Sequence, residues 1–216
     1  MKKRYLFIFL FICIAFVIFT TKILAEENPL VVYIDPGHGG IDGGATVGNI
    51  KESELTLEIS KKVKEVFENN SIQVVLTRDT SDDLSDGDFV KREDMLKRVN
   101  KINTSSAFLA LSIHLNKFSI EKYRGAQVFY SKTNSNNQLL AEIMQASLCN
   151  YLKNTERKIV KRDNIFLLNK VTIPCCIIEC GFMSNKEELQ LLQTEEYQYK
   201  LAYALLYGVE DYLKLY

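Results

Sequence analysis

The chain has 216 residues, 27 of them basic and 27 acidic, and only two histidines. That length suits one domain with a substantial core plus an appendage. Setting residues 1–25 aside removes four basic residues and no acidic one, so the remainder is mildly acidic and lacks the positive surplus that nucleic-acid binding needs.

Lys2, Lys3 and Arg4 precede an uncharged apolar run from Tyr5 to Thr21, which Lys22 closes. A basic start followed by such a run reads as a signal peptide or membrane anchor over residues 1–25. The run is near the lower limit for spanning a bilayer, and Ile23-Leu24-Ala25 is a poor small-x-small cleavage site, so cleavage and retention both stay open. In either case residues 30–216 are expected to work outside the cytoplasmic membrane.

Short apolar runs then alternate with helical patterns. Residues 30–35 (LVVYID) form a strand candidate, followed by the glycine-rich turn of 36–40 (PGHGG). Leu55, Ile59, Val63, Val66 and Phe67 recur at helical spacing over 52–68. Residues 72–77 read as a second strand, 81–88 as a polar loop, and 89–100 as another helix. Residues 107–113 and 125–131 are strands. Residues 136–153 are helical, with Leu139, Leu140, Ile143, Met144, Leu148 and Leu152 on one side. Residues 175–179 (CCIIE) are a strand after Pro174. Ser184 with Glu187 three residues on predicts a capped helix start. A closing helix over the last twenty residues carries Tyr199, Ala202, Tyr203, Leu206, Val209 and Leu213. The alternation predicts a single α/β domain: a mostly parallel, twisted sheet of five to six strands flanked by helices. In such sheets function gathers at the carboxyl edge of the strands.

That edge is where the reactive residues fall. His38 follows the first strand by three residues, His114 ends the third, and Glu179 ends the last long apolar run. A lone histidine is ordinarily structural, but here both histidines of the chain take equivalent positions, and neutral imidazole is a common metal ligand. A catalytic zinc site takes three protein ligands. Glu52 is the best third: it precedes Leu55 by three residues and Ile59 by seven, which puts it on the inward face of its helix, whereas Glu54 belongs to the polar face. Glu179, in apolar surroundings that disfavour its charge, has the character of a general acid–base; a pairing with Arg78 or Arg92 is the plainer alternative. A phosphate loop at 36–40 lacks the G-x-x-x-x-G-K-[ST] pattern. No C-x-x-C occurs among the five cysteines. Cys176 and Cys180 allow a disulfide, although small apolar cysteine favours two buried thiols.

Residues 34–45 (IDPGHGGIDGGA), Glu52 at a helix start, 77–79 (TRD), Arg92 with 99–100 (VN), 112–116 (SIHLN) and 178–185 (IECGFMSN), in this order, resemble the zinc-dependent N-acetylmuramoyl-L-alanine amidases. The resemblance covers about residues 30–213. It implies one zinc ion on His38, Glu52 and His114, a catalytic Glu179, and Asn116 near the metal, with Arg92 as a further candidate for holding substrate. The substrate it implies is peptidoglycan, cut at the amide between N-acetylmuramic acid and the L-alanine of the stem peptide. Two positions depart from the family pattern: Leu115 replaces a usual alanine, and Ala107 a common aspartate. Neither removes a ligand, so both bear on packing or groove shape.

A single domain behind one membrane signal is most similar to the germination-specific, spore-cortex type of this family. That likeness implies action alongside a deacetylase and suggests an accessory protein that positions or activates the enzyme. A vegetative autolysin shares the layout. Another zinc peptidoglycan hydrolase, a peptidase or deacetylase, is the enzyme rival, separated by its products. A wall-binding module is the non-catalytic rival, and it has no need of the proton-transferring Glu179.

Overall fold

The computed structural model describes residues 30–216; the expected signal peptide or anchor of residues 1–25 lies outside the described residues. Strands β1 (Val31–Pro36), β4 (Gln73–Leu76), β5 (Leu109–Asn116), β6 (Gln127–Tyr130), β7 (Val160–Lys161) and β8 (Cys175–Phe182) form one sheet in the order β4-β1-β5-β8-β6-β7. The first four strands of that order are mutually parallel; β6 runs antiparallel to β8, and β7 parallels β6. A small hairpin of β2 (Thr46–Val47) and β3 (Ile50–Lys51) precedes the first helix. The helices are α1 (Glu52–Asn69), α2 (Lys91–Asn103), α3 (Asn137–Leu152), α4 (Phe166–Lys170), α5 (Lys186–Leu192) and α6 (Glu195–Leu213). None of them is long and apolar enough to cross a membrane.

Side chains alternate across a strand, so the sheet builds two cores. Ile34, Leu111, Ile113, Ile178 and Val128 face the larger one, closed by the apolar stripes of α1, α3 and α6. Tyr33, Ala110, Cys175, Ile177 and Phe129 face the smaller one, closed by Val99 and Ile102 of α2 and Leu167 and Leu168 of α4. Continuing along that second face, Asp35 pairs in register with Ser112, and Ser112 with Ile177; two residues on, His114 pairs with Glu179, and Glu179 with Gln127. The reactive row is thus the rim of the smaller core, where α2 and α4 leave the sheet uncovered. Beyond His114 the register slips, so that Asn116 faces Phe182. This bulge falls on β8 immediately after Glu179, a usual location beside a site.

Some local expectations are corrected. The cap of α5 is Asn185, whose side chain accepts the Glu188 N–H at 2.9 Å, not Ser184 with Glu187. Glu188 turns inward and accepts the N–H groups of Gly125 and Phe182, while Ser184 Oγ accepts that of Phe118. Leu139 is exposed at the edge of the α3 stripe, and Tyr203 lies on the outer face of α6 beside Tyr207, which stacks on Tyr151. Cys175, Cys176 and Cys180 are buried. Cys176 and Cys180 stand four residues apart on one strand, roughly 13 Å, far beyond the roughly 4–7 Å a disulfide requires.

Candidate metal centre

His38, Glu52 and His114 meet at one point, each offering a ligand atom within 4.8 Å of the others. Three elements bring them there: the turn after β1, the first residue of α1, and β5. His38 Nε2 lies 3.2 Å from Glu52 Oε2, and His114 Nδ1 2.9 Å from Glu52 Oε1. The two imidazole centroids are 5.0 Å apart and nearly perpendicular. Backbone donors fix the carboxylate from behind: the Ala45 N–H reaches Oε2 at 2.8 Å and the Leu115 N–H reaches Oε1 at 3.1 Å. Burial alone would raise the Glu52 pKa, but hydrogen bonds from His114 and His38 outweigh it and hold the group far below the usual carboxylate range. An ionised carboxylate between two imidazoles is a donor set that fits a divalent cation with nitrogen and oxygen affinity.

The glycines of the turn are cut to this cluster. A Cβ on Gly37 would lie 2.4–2.7 Å from the His114 ring, and one on Gly44 would lie 2.6 Å from both Glu52 Oε2 and His38 Cδ2. His38 itself has φ 60°, a left-handed conformation uncommon for a residue with a side chain. Two buried arginines hold it there. Arg98 of α2 donates to the carbonyls of Pro36 and His38, and Arg78 to those of Pro36 and Gly37. Arg98 also pairs with Asp35 and Asp94 at 2.8 Å each, and Asp35 accepts from Thr77 and Ser112. Burial pushes Asp35 upward, but the Arg98 charge and these hydroxyls bring its pKa below the ordinary value. Asp42 completes the setting by facing His38 Nδ1 at 3.1 Å.

Glu179 stands one strand from His114. Its Oε2 is fully buried with no hydrogen-bond partner among the described residues. Burial pushes its pKa up to about 7, against the lowering influence of the His114 charge. The pairing with Arg78 or Arg92 does not occur: Arg78 is occupied by carbonyls, and Arg92 is exposed on α2. Glu179, His38 and His114 line a cavity of about 360 Å³ together with Asp42, Lys91 and Phe166. Arg92 does not line it, whereas Arg98 does. Asn116 lines an adjoining groove instead. Arg98, Asp35, Asp94 and Asp42 are the site residues that sequence reasoning missed; the Asp94–Arg98 pair at helical spacing was the available signal.

The sequence profile of the N-acetylmuramoyl-L-alanine amidases matches residues 32–211. The chain belongs to this amidase family. It is 38% identical over 187 residues to the germination-specific N-acetylmuramoyl-L-alanine amidase of Bacillus subtilis, covering 84% of this chain and 79% of that one. Among solved structures, the CwlD amidase of Clostridioides difficile, determined in complex with the GerS lipoprotein, superposes with a TM-score of 0.82 at 36% identity, covering 87% of this chain and 100% of that one. A second N-acetylmuramoyl-L-alanine amidase, from Clostridium difficile 630, gives 0.78 at 32% identity, covering 87% and 98%. The amidase fold thus accounts for nearly all of the described residues, and its sheet edge carries the histidine–glutamate cluster.

Proposed function

We propose that the amidase binds one zinc ion on His38, Glu52 and His114, and hydrolyses the amide joining the lactyl group of N-acetylmuramic acid to L-alanine. The observation that carries this reading is the convergence of three donors beside a carboxyl whose buried oxygen has no partner. Zinc held there supplies Lewis-acid polarisation of the scissile carbonyl and acidifies a water molecule. Glu179 takes the proton from the attacking water as its oxygen bonds to the carbonyl carbon. It then delivers that proton to the nitrogen as the C–N bond breaks, leaving a lactyl carboxylate and a free L-alanine amine. A pKa raised by burial suits both halves of that task.

The substrate we assign is spore-cortex peptidoglycan, outside the cytoplasmic membrane. Freed stem peptides leave muramoyl groups on which a deacetylase can act toward muramic lactam, ahead of germination. The names of the relatives support this setting: a germination-specific amidase in B. subtilis, and in C. difficile an amidase solved with a lipoprotein. An accessory envelope protein that positions or activates this chain fits the same pattern.

Digestion of cortex with the zinc-loaded protein should release peptides beginning with L-alanine, seen by mass spectrometry; D-alanine or acetate as the product overturns the reading. Glu179→Gln should keep one zinc per chain and lose turnover by roughly 10²–10⁴-fold. In the unsubstituted enzyme turnover should fall as the pH drops through the Glu179 pKa, because only the ionised carboxylate accepts the proton. The cation beside it moves that limb below 7. Loss of zinc in Glu179→Gln would instead make Glu179 a ligand.

A further inference from the structure

A second groove, of about 200 Å³, opens at the same sheet edge and is lined by Asn116, Gln127, Phe129, Arg157, Arg162 and Phe182 among others. It adjoins the reactive row, because Gln127 pairs in register with Glu179. Its chemistry differs from that of the first cavity, which is rich in carboxylates. Arg157 lies over the Phe182 ring at 4.5 Å, and Arg162 over the Phe129 ring at 4.9 Å. Arg157 is further held by donation to the Arg124 carbonyl and to Gln127 Oε1. Among the described residues, neither guanidinium forms an ion pair with a carboxylate, although acidic residues are as plentiful as basic ones in the chain. Two cations parked on aromatic faces, with donors left free, match a carboxylate ligand, which takes the guanidinium fork bidentately.

The substrate's own chemistry says which side of the cut bond enters here. The lactyl carboxyl of the sugar is consumed in the amide, so the free carboxylate nearest that bond on an uncut strand belongs to the peptide. Arg162 follows β7, two strands from β8. At strand spacing that is roughly 10 Å from the reactive row, and an extended peptide advances about 3.3 Å per residue. We propose that this groove is a carboxylate-binding subsite, in which Arg162 and Arg157 hold a free carboxylate of the stem peptide two or three residues beyond the scissile amide. The inference rests on the amidase reading of the zinc site.

The test uses soluble glycan strands whose muramoyl groups carry an otherwise neutral tripeptide, ending either in a free carboxylate or in a primary carboxamide. With the zinc-loaded protein, kcat/KM should favour the carboxylate by about tenfold, the size of one charge-assisted contact, chiefly through KM. In Arg162→Gln that ratio should fall toward one. Arg162 also lowers the Glu179 pKa through its charge, but this affects both substrates alike and cancels in the ratio. Equal rates on the two strands, or a preference that survives Arg162→Gln, overturn the subsite while the amidase assignment stands. Cleavage of neither strand overturns both.

Discussion

At the scale of single residues, the site depends as much on missing side chains as on present ones. His114 lies against the backbone of Gly37 with no room for a Cβ, although Gly37 is not among the positive-φ glycines. Gly48 is the reverse case: its φ is +59°, yet a Cβ there meets nothing within 4 Å. The two substitutions to alanine should therefore separate. Gly37→Ala must displace the His114 ring and weaken zinc binding by more than about tenfold, since ligands have to stand within a few tenths of an ångström of their place. Gly48→Ala should leave the affinity intact and cost about 1–2 kcal/mol of stability from the left-handed backbone alone. Competition with a chromophoric chelator, beside thermal melts, reads both; equal affinities in the two variants would sink the account. The positions of His38, Glu52, His114 and Glu179 were legible in the sequence: His38 follows a strand, His114 and Glu179 close apolar strand runs, and Glu52 opens a helix on its inward face. Arg98 was not, because what sets it apart from Arg92 is burial, and composition puts both on one helix.

At the scale of elements, α2 is tied to β1 by charge as well as through the smaller core. Arg98 is 1% exposed and bridges Asp94 on its own helix to Asp35 on the strand, while also holding the turn that carries His38. Removing one member of such a buried set strands the others, so Arg98→Leu should cost about 3–5 kcal/mol at neutral pH. The pH dependence has a definite sign. The folded Asp35 pKa lies below its unfolded value, so its contribution is complete above about pH 4 and is lost as the pH falls through the lower, folded value. The stability gap between the parent and Arg98→Leu should therefore narrow as denaturation curves are taken below about pH 4. A gap that stays constant or widens there means the pair contributes packing rather than charge. Element boundaries followed the same logic of legibility. The long periodic helices α1, α3 and α6 were readable, whereas β7, α4 and the β2–β3 hairpin are too short to show a period. The α5 cap was misplaced by one residue because Ser184 and Asn185 are both good caps, and only the inward turn of Glu188 decides between them.

At the scale of the whole molecule, the histidine–glutamate cluster draws its ligands from three separate elements, which also touch directly, as where Thr56 Oγ1 donates to the Gly37 carbonyl. His114 belongs to the central strand β5, His38 to the turn after β1, and Glu52 to a helix that covers the larger core on the sheet's opposite face. The ligands are 14 and 62 residues apart along the chain, so an unfolded chain offers no comparable site. A cation that binds only the folded form adds stability of RT ln(1 + [L]/Kd), about 4 kcal/mol when zinc is present at a thousand times Kd. For a domain of this size, each kcal/mol moves the melting temperature by about 2–4 °C. Zinc should thus raise it by about 8–16 °C, and a chelator should reverse the rise. His38→Ala and His114→Ala should each abolish most of the increment while changing the metal-free melt far less, since each side chain is partly exposed and its partner is the same Glu52 carboxylate. The increment should also shrink toward acid pH. The Glu52 and Asp42 carboxylates raise the His38 pKa above its usual value despite burial, and a proton there competes with the metal. A zinc-dependent rise that persists in both histidine variants would place the ion elsewhere and remove the cluster from the proposed chemistry.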